Sequence, residues 1–305
     1  MSDYYYGGSI GNLNGGEPDN ANQRKYTIIQ SLWTKPIKNA QMFRDLMFMC
    51  ALSLEYAHRS GYKVHMHTDS NGYSLFRKFG YDRLYKTLDK IPDNVSTDFF
   101  AAGKFYAMKA EGIVGKIHID VDVMLKKQGV LDKFYTDKRI DVIHQMEEDM
   151  PLVHHEDKIF HLHVLGYPPT MRPNWQGSFN TGIVGFNNPT LANAYFDNYF
   201  EALEMYNAQR LSEYKAQCNL DAIHFDFVLE QITLSFMSRN YNAYALLPTK
   251  MPCEVADAIG YLHLQGNRKW DESTINWMKE KLKKFNKPLY NMADVVSRIA
   301  FKSIV

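Results

Sequence analysis

The sequence predicts an α/β protein in which helices pack over a parallel sheet. Three observations carry that expectation. Residues 26–33, a helical stretch and residues 63–69 follow one another with short joins, which is a βαβ unit. Residues 116–125 alternate Ile117, Ile119, Val121 and Val123 with His118, Asp120, Asp122 and Met124, the period of a strand. The chain of 305 residues, 45% hydrophobic and 23% charged, is long enough for a sizeable core, in one large domain or two smaller ones.

Residues 1–24 are rich in Gly, Asn, Asp and Ser, and are expected to form a mobile tail. Residues 26–33 are apolar and β-branched, end at Thr34-Lys35-Pro36, and read as a buried first strand. Asn39 caps a helix running to about residue 60, with Met42, Leu46, Met49, Leu52, Leu54 and Tyr56 on its apolar face, and Gly61 ends it. A second strand at 63–69 turns through Ser70-Asn71-Gly72 into another helix. Parallel sheets bind ligands at the carboxyl ends of their strands. Here those ends bring Trp33, a ring to stack on a base, and Asp69, a partner for a ribose. Core packing for Trp33 and helix capping for Asp69 are the structural alternatives.

Residues 98–109 form a helix whose Lys104 could reach a phosphate or simply be solvated. On the strand at 116–125, Asp120 and Asp122 would point to one side with Cα atoms roughly 6.5–7 Å apart. Carboxylates held that close repel, and a divalent cation with a taste for hard oxygen ligands removes the conflict. A solvent-facing strand bearing two acids is the other reading. Residues 139–144 make a short strand. His154, His155, His161 and His163 fall in a loop or hairpin near the site, without the cysteines or Glu-x-x-His helix of a zinc centre.

Residues 178–189 read as a strand in which Gly182 and Gly185 suit the close approach of another backbone or a ligand. Residues 191–206 form an aromatic amphipathic helix, and 221–237 a mostly buried one. On the latter Asp226 and Glu230 share a face, a like-charged pair that needs a purpose or a counter-ion if buried. Residues 258–270 are a strand running into a basic loop, where His263, Gly266, Arg268 and Lys269 could hold a metal and a diphosphate together. Residues 271–305 are a helical extension, a lid or packing element, whose lysines between 279 and 287 could give peripheral membrane association.

The charge balance, 35 basic against 34 acidic residues, gives no electrostatic case for nucleic acid, so any phosphate must be held locally. Cys50, Cys218 and Cys253 lie far apart and are expected to be free thiols in a reducing compartment. The N-terminus has no signal-peptide pattern and no apolar run has membrane-spanning length, so the expected location is the cytoplasm, with no integral membrane segment. Aromatic residues at 14% favour a surface that stacks on flat rings or sugar faces.

Three motifs, in order, resemble the metal-dependent GT-A glycosyltransferases, and among them family eight, the glycogenin and bacterial galactosyltransferase group. They are Asp120-Val121-Asp122 (the DxD motif), Phe179-Asn180-Thr181-Gly182-Ile183, and His263-Leu264-Gln265-Gly266-Asn267-Arg268-Lys269. The resemblance spans about residues 25–270 and departs from the family where Trp270 follows Lys269 without the usual proline. It implies a Rossmann-like nucleotide-diphospho-sugar transferase fold with a mixed, mostly parallel sheet flanked by helices. The nucleotide-binding half would be 25–125 and the acceptor-side half 126–270. Asp120, Asp122 and His263 would ligate Mn²⁺ or Mg²⁺, Gly266 and Lys269 would hold the diphosphate with help from Lys104, and Asn180 would contact sugar.

By the same resemblance, a run of the form D-Q-x-[IV]-L, matched on Val228-Leu229, sets Asp226 beside the reactive carbon of the donor, with Glu230 as rival. The implied activity is transfer of a hexose from a UDP-sugar to a glycan, lipid or protein acceptor, with retention of configuration. A silent nucleotide-sugar-binding or scaffold protein of the same shape is the alternative. A metal-dependent phosphohydrolase is a third reading; it would need a second metal about 3.5–4 Å away, for which the histidines at 154–163 are the only candidates.

Overall fold

The computed structural model describes residues 25–149, 177–206, 209, 213, 226–248 and 252–299. The expected tail at 1–24, the histidines at 154–163, Cys218 and the start of the helix at 221–237 lie outside the described residues, as does the side chain of Arg268.

Strand β1 (Tyr26–Leu32) shows why a continuous apolar run makes a central strand. Successive side chains point to opposite faces, so Ile28 enters one apolar cluster and Ile29 the other, both fully buried. Helix α1 (Ala40–Arg59) starts where Asn39 Oδ1 accepts the Met42 N–H at 2.8 Å. It stops at Ser60, just before Gly61 at φ +81°, a left-handed conformation that glycine adopts without strain. β2 (Tyr62–Thr68) then pairs parallel to β1 along its whole length, and α2 (Ser70–Phe76), β3 (Arg83–Tyr85), α3 (Ala102–Glu111) and β4 (Lys116–Ile119) follow.

The remaining strands are β5 (Val123–Leu125), β6 (Val142–Asp149), β7 (Gly177–Phe186), β8 (Ala243–Ala245) and β9 (Tyr261–His263). Among the described residues seven strands form one sheet in the order β3-β2-β1-β4-β7-β6-β8. β7 alone runs against the others, antiparallel to both β4 and β6, while the remaining neighbours are parallel. The expected class, a mixed and mostly parallel sheet flanked by helices, is the one found.

Between β5 and β6 lies the short α4 (Asp132–Thr136). Over one face lie α1 and two late helices, α8 (Glu272–Phe285) and α9 (Lys287–Ile299), whose Met278, Leu282, Leu289 and Ala293 join the cluster around Phe48. Over the other lie α3, α5 (Pro189–Met205), a π-turn at Val228–Ile232 and α6 (Thr233–Met237). α7 (Pro252–Ile259) precedes β9. No helix among the described residues is long and apolar enough to cross a membrane.

One expected element is corrected. Residues 116–125 are not a single strand: β4 ends at Ile119, and β5 pairs antiparallel with β9 in a separate two-stranded sheet. Asp120 and Asp122 therefore sit on a turn, closed by Val123 N–H donating to Asp120 O at 3.0 Å. Val123 and Leu125 remain buried after the change of sheet, with Ser60 Oγ of the α1 cap donating to Leu125 O. Met124 between them is buried as well, so the alternation belongs to the sequence and not to the burial, and pattern alone does not reveal the break.

Gly185 is explained by the same packing. A Cβ there would lie 2.7 Å from the Lys116 carbonyl oxygen and 2.8 Å from Ile117 Cγ1, so only hydrogen fits where β7 crosses β4.

Candidate active site

The turn between β4 and β5 is pinned from two sides. Asp120 N–H donates to Gly182 O of β7 at 2.9 Å, and Leu264 N–H donates to Asp122 O at 3.0 Å, next to the last residue of β9. That residue is His263. Asp120, Asp122 and His263 each offer a ligand atom, and the three atoms lie within 4.8 Å of one another.

His263 Nε2 is 3.2 Å from Asp122 Oδ1, yet that buried oxygen accepts no hydrogen bond. The imidazole edge and the carboxylate thus face a common space. Orphaned buried acceptors are unfavourable unless something positive completes them. Two carboxylates and one imidazole are a donor set that could hold a divalent cation.

Two lysines balance the acids. Lys269 Nζ lies 2.8 Å from Asp122 Oδ2. Burial alone would raise Asp122, but Lys269 and His263 beside it win and hold it well below the usual carboxylate range. Desolvation pushes Asp120 upward, helped by Asp122 and Glu230 and opposed by Lys104. Lys104 is held within the protein. Its ammonium meets Asp120 Oδ1 at 3.1 Å, Glu230 Oε1, and the Thr181 carbonyl at 2.8 Å, which together occupy its three N–H donors. Burial would lower Lys104, but Asp120 and Glu230 outweigh it and raise the group.

Asn180 also has partners within the protein. Opposite Gln145 of β6, strand β7 carries Thr181, Gly182 and Ile183, between the pairs His144–Val184 and Met146–Asn180. Asn180 Oδ1 accepts the Gly182 N–H at 3.0 Å and Nδ2 donates to Glu148 at 3.0 Å, so the amide locks the bulge. Thr181 O is thereby turned to Lys104 and Gly182 O to Asp120.

Trp33 and Asp69 line a cleft of about 370 Å³ together with Thr34, Lys35, Asn71 and Asp89. Trp33 is 7% exposed and packs beside Ile29, Leu88 and Ile91. Asp69 accepts from Thr34 N–H at 2.8 Å, Thr34 Oγ1 at 2.7 Å and Gly72 N–H at 2.9 Å, the capping role weighed above. α3 links cleft and acids, for Gly103 lies against Trp33 and the next residue, Lys104, reaches Asp120. Gly266 is exposed and opens the 3₁₀ turn that leads to Lys269.

A family model described as a family of unknown function, DUF6734, matches residues 26–294. The chain belongs to that family. No curated protein matches the sequence. Among solved structures the chain is similar to mouse xyloside xylosyltransferase 1 in its apo form, at 13% identity and TM-score 0.39 over 73% of this chain and 85% of that one. It is similar to the apo-form glycosyltransferase GlyE of Streptococcus pneumoniae TIGR4, at 13% identity and TM-score 0.41 over 92% of this chain and 64% of that one. It is also similar to the galactosyltransferase LgtC bound to donor and acceptor sugar analogs, at 12% identity and TM-score 0.36 over 92% of this chain and 100% of that one. At such identities and scores the likeness assigns no role to any residue.

Asp226 and Glu230 face different partners. Asp226 is fully buried and accepts from Ala101 N–H at 2.8 Å and Tyr199 OH at 2.7 Å. Burial, then Glu230, pushes its carboxyl up to about 7 against these two donors. Glu230 sits on the π-turn and reaches Lys104, one contact from Asp120. The raised value has a consequence for stability. The folded chain keeps a proton on Asp226 that the unfolded chain releases near 3.8, so stability falls as pH rises from about 4 to about 7. Asp226→Asn, whose amide can accept from Ala101 and donate to Tyr199 Oη, is expected to flatten that slope and raise Tm at pH 8. Denaturant melts at pH 5 and pH 8 test this; an unchanged slope would mean another group titrates.

Sequence reading missed two residues of this site, Gln145 and Tyr261. Gln145 Oε1 is 2.8 Å from Tyr261 OH and 2.6 Å from His263 Nδ1. The signal is faint: one amide just beyond the strand expected at 139–144, with its partners more than a hundred residues away.

Proposed function

We propose that this chain is a metal-dependent glycosyltransferase of the GT-A type, moving a sugar from a nucleotide-diphosphate sugar, a UDP-sugar by the motif resemblance, to a carbohydrate or glycoconjugate acceptor. One observation carries the reading: Asp120, Asp122 and His263 converge at a turn beside the carboxyl ends of β1 and β4, with Lys269 on Asp122 and a cleft one helix away. Bound there, Mn²⁺ or Mg²⁺ would act as a Lewis acid on a diphosphate leaving group as its negative charge develops. Lys269 adds a positive charge at the same place, and Trp33 offers a ring to the base in the cleft.

Of the two candidate carboxylates, the contacts favour Glu230 for the role beside the reactive carbon. It lies one ion pair from Asp120, whereas Asp226 spends both oxygens on α3 and Tyr199. Lys104 holds Glu230 inward, so the reading requires this ion pair to open when donor binds. Retention of configuration belongs to the same proposal, as does a cytoplasmic location, with which the buried free thiol of Cys50 accords.

The test is thermal shift against a panel of nucleotide sugars with and without Mn²⁺. A ligand at a hundred times its Kd stabilises by about 2.7 kcal/mol, a shift of several degrees. A UDP-sugar that shifts Tm only with Mn²⁺, followed by donor hydrolysis or transfer, is the expected result. Binding without turnover on any acceptor would instead leave a silent binding protein. No shift with any nucleotide sugar would end the proposal.

A further inference from the structure

We infer that Gln145 is a positioning residue that sets the tautomer of His263, so that the ring presents a bare Nε2 to the space it shares with Asp120 and Asp122. The inference rests on the cation reading above but has its own test. A carbonyl oxygen can only accept, and Gln145 Oε1 lies 2.6 Å from His263 Nδ1 and 2.8 Å from the Tyr261 hydroxyl. The proton of a neutral His263 is therefore on Nδ1, and Nε2 keeps its lone pair. On the far side of the ring Nε2 lies 3.2 Å from Asp122 Oδ1, so a bare Nε2 there faces a carboxylate and calls for a cation between them. The opposite orientation of the Gln145 amide would put N–H against Nδ1 and move the ring proton to Nε2, where it would close the site to a cation.

Three features hold the amide in place. Tyr261 and His263 stand two apart on β9, so one carbonyl can serve both. The bulge in β7 puts Gly182 opposite, and its missing side chain leaves the room: a Cβ there would be 2.7 Å from Gln145 Oε1 and 2.5 Å from His263 Cε1. The amide nitrogen at the other end of Gln145 is buried without a partner, a cost that makes sense if the oxygen's position matters.

The experiment uses the full chain, ¹⁵N-labelled at histidine, with His263 assigned by difference from His263→Gln. Long-range ¹H–¹⁵N spectra without metal read the tautomer directly, and Mn²⁺ titrations followed by electron paramagnetic resonance read affinity. Wild type is expected to carry the proton on Nδ1. Gln145→Met, similar in size but without the acceptor, should lose that preference and weaken Mn²⁺ binding about 10–100-fold. Gln145→Glu keeps an oxygen in place, and should preserve the tautomer and hold Mn²⁺ within about 3-fold of wild type.

A wild-type ring protonated on Nε2 would overturn the inference, and so would equal weakening by Met and Glu. If Gln145→Met does not fold, the wild-type tautomer together with the Glu variant still decides. A wild type with Nδ1–H that binds no Mn²⁺ would support the positioning role while removing the cation reading.

Discussion

Asp122→Asn is expected to remove Mn²⁺-dependent donor hydrolysis to within about 10²–10³-fold below wild type or further, and to erase the Mn²⁺-dependent part of the thermal shift. The side chain keeps its size, so the change is one of charge. Asp122 is 6% exposed, and Lys269 beside it holds it ionised. Such a preorganised charge is typically worth about 2.7–4 kcal/mol of barrier, which is two to three powers of ten in rate. Removing one partner of a buried ion pair also leaves Lys269 uncompensated, so rates should be normalised to the folded fraction. The measurement is turnover of UDP-sugar at saturating donor across a Mn²⁺ series. Wild-type turnover by Asp122→Asn would mean that the cluster at the β4–β5 turn is not the reacting centre.

What could be read beforehand divides by the range of the interaction. The βαβ opening was legible because its determinants are local: Asn39 caps its own helix, Gly61 ends it, and Ile28 and Ile29 alternate faces one residue apart. Asp120, Asp122 and His263 could be grouped only through motifs, and the structure sets them within 4.8 Å at a turn, not along a strand. The turn was hidden because Ile117, Ile119, Val121 and Val123 keep a period of two in the sequence across it, so a change of sheet leaves the pattern intact. The contacts of Lys104 were hidden for a related reason. Whether a helix lysine meets a ligand or a protein carboxylate depends on Glu230, 126 residues away in sequence. Gln145, Tyr199 and Tyr261 do their work through contacts of the same kind, and a periodicity window holds no information about them.

Gly182→Ala is expected to weaken Mn²⁺ binding at least about 10-fold and to lower turnover by roughly 10², with a stability cost of about 1–3 kcal/mol. An added Cβ would meet His263 Cε1 at 2.5 Å, and His263 Nδ1 and Gln145 Oε1 at 2.7 Å. The backbone has little freedom to retreat. Gly182 O accepts from Asp120 N–H at 2.9 Å, and Gly182 N–H is held by Asn180 Oδ1 at 3.0 Å. Moving the strand would therefore drag Asp120 with it, and the imidazole and amide must give way instead. Either response spoils the cluster, because displacements near 1 Å are enough to lose two orders of magnitude in a preorganised site. Gly185→Ala is the natural comparison on the same strand. Its Cβ would strike the Lys116 carbonyl at 2.7 Å, so it should cost comparable stability while Mn²⁺ affinity in the folded fraction stays near wild type. Denaturant melts and Mn²⁺ titrations on both variants separate the two effects. Equal Mn²⁺ affinity in Gly182→Ala and wild type would mean that the close packing of β7 on His263 is a matter of the fold alone.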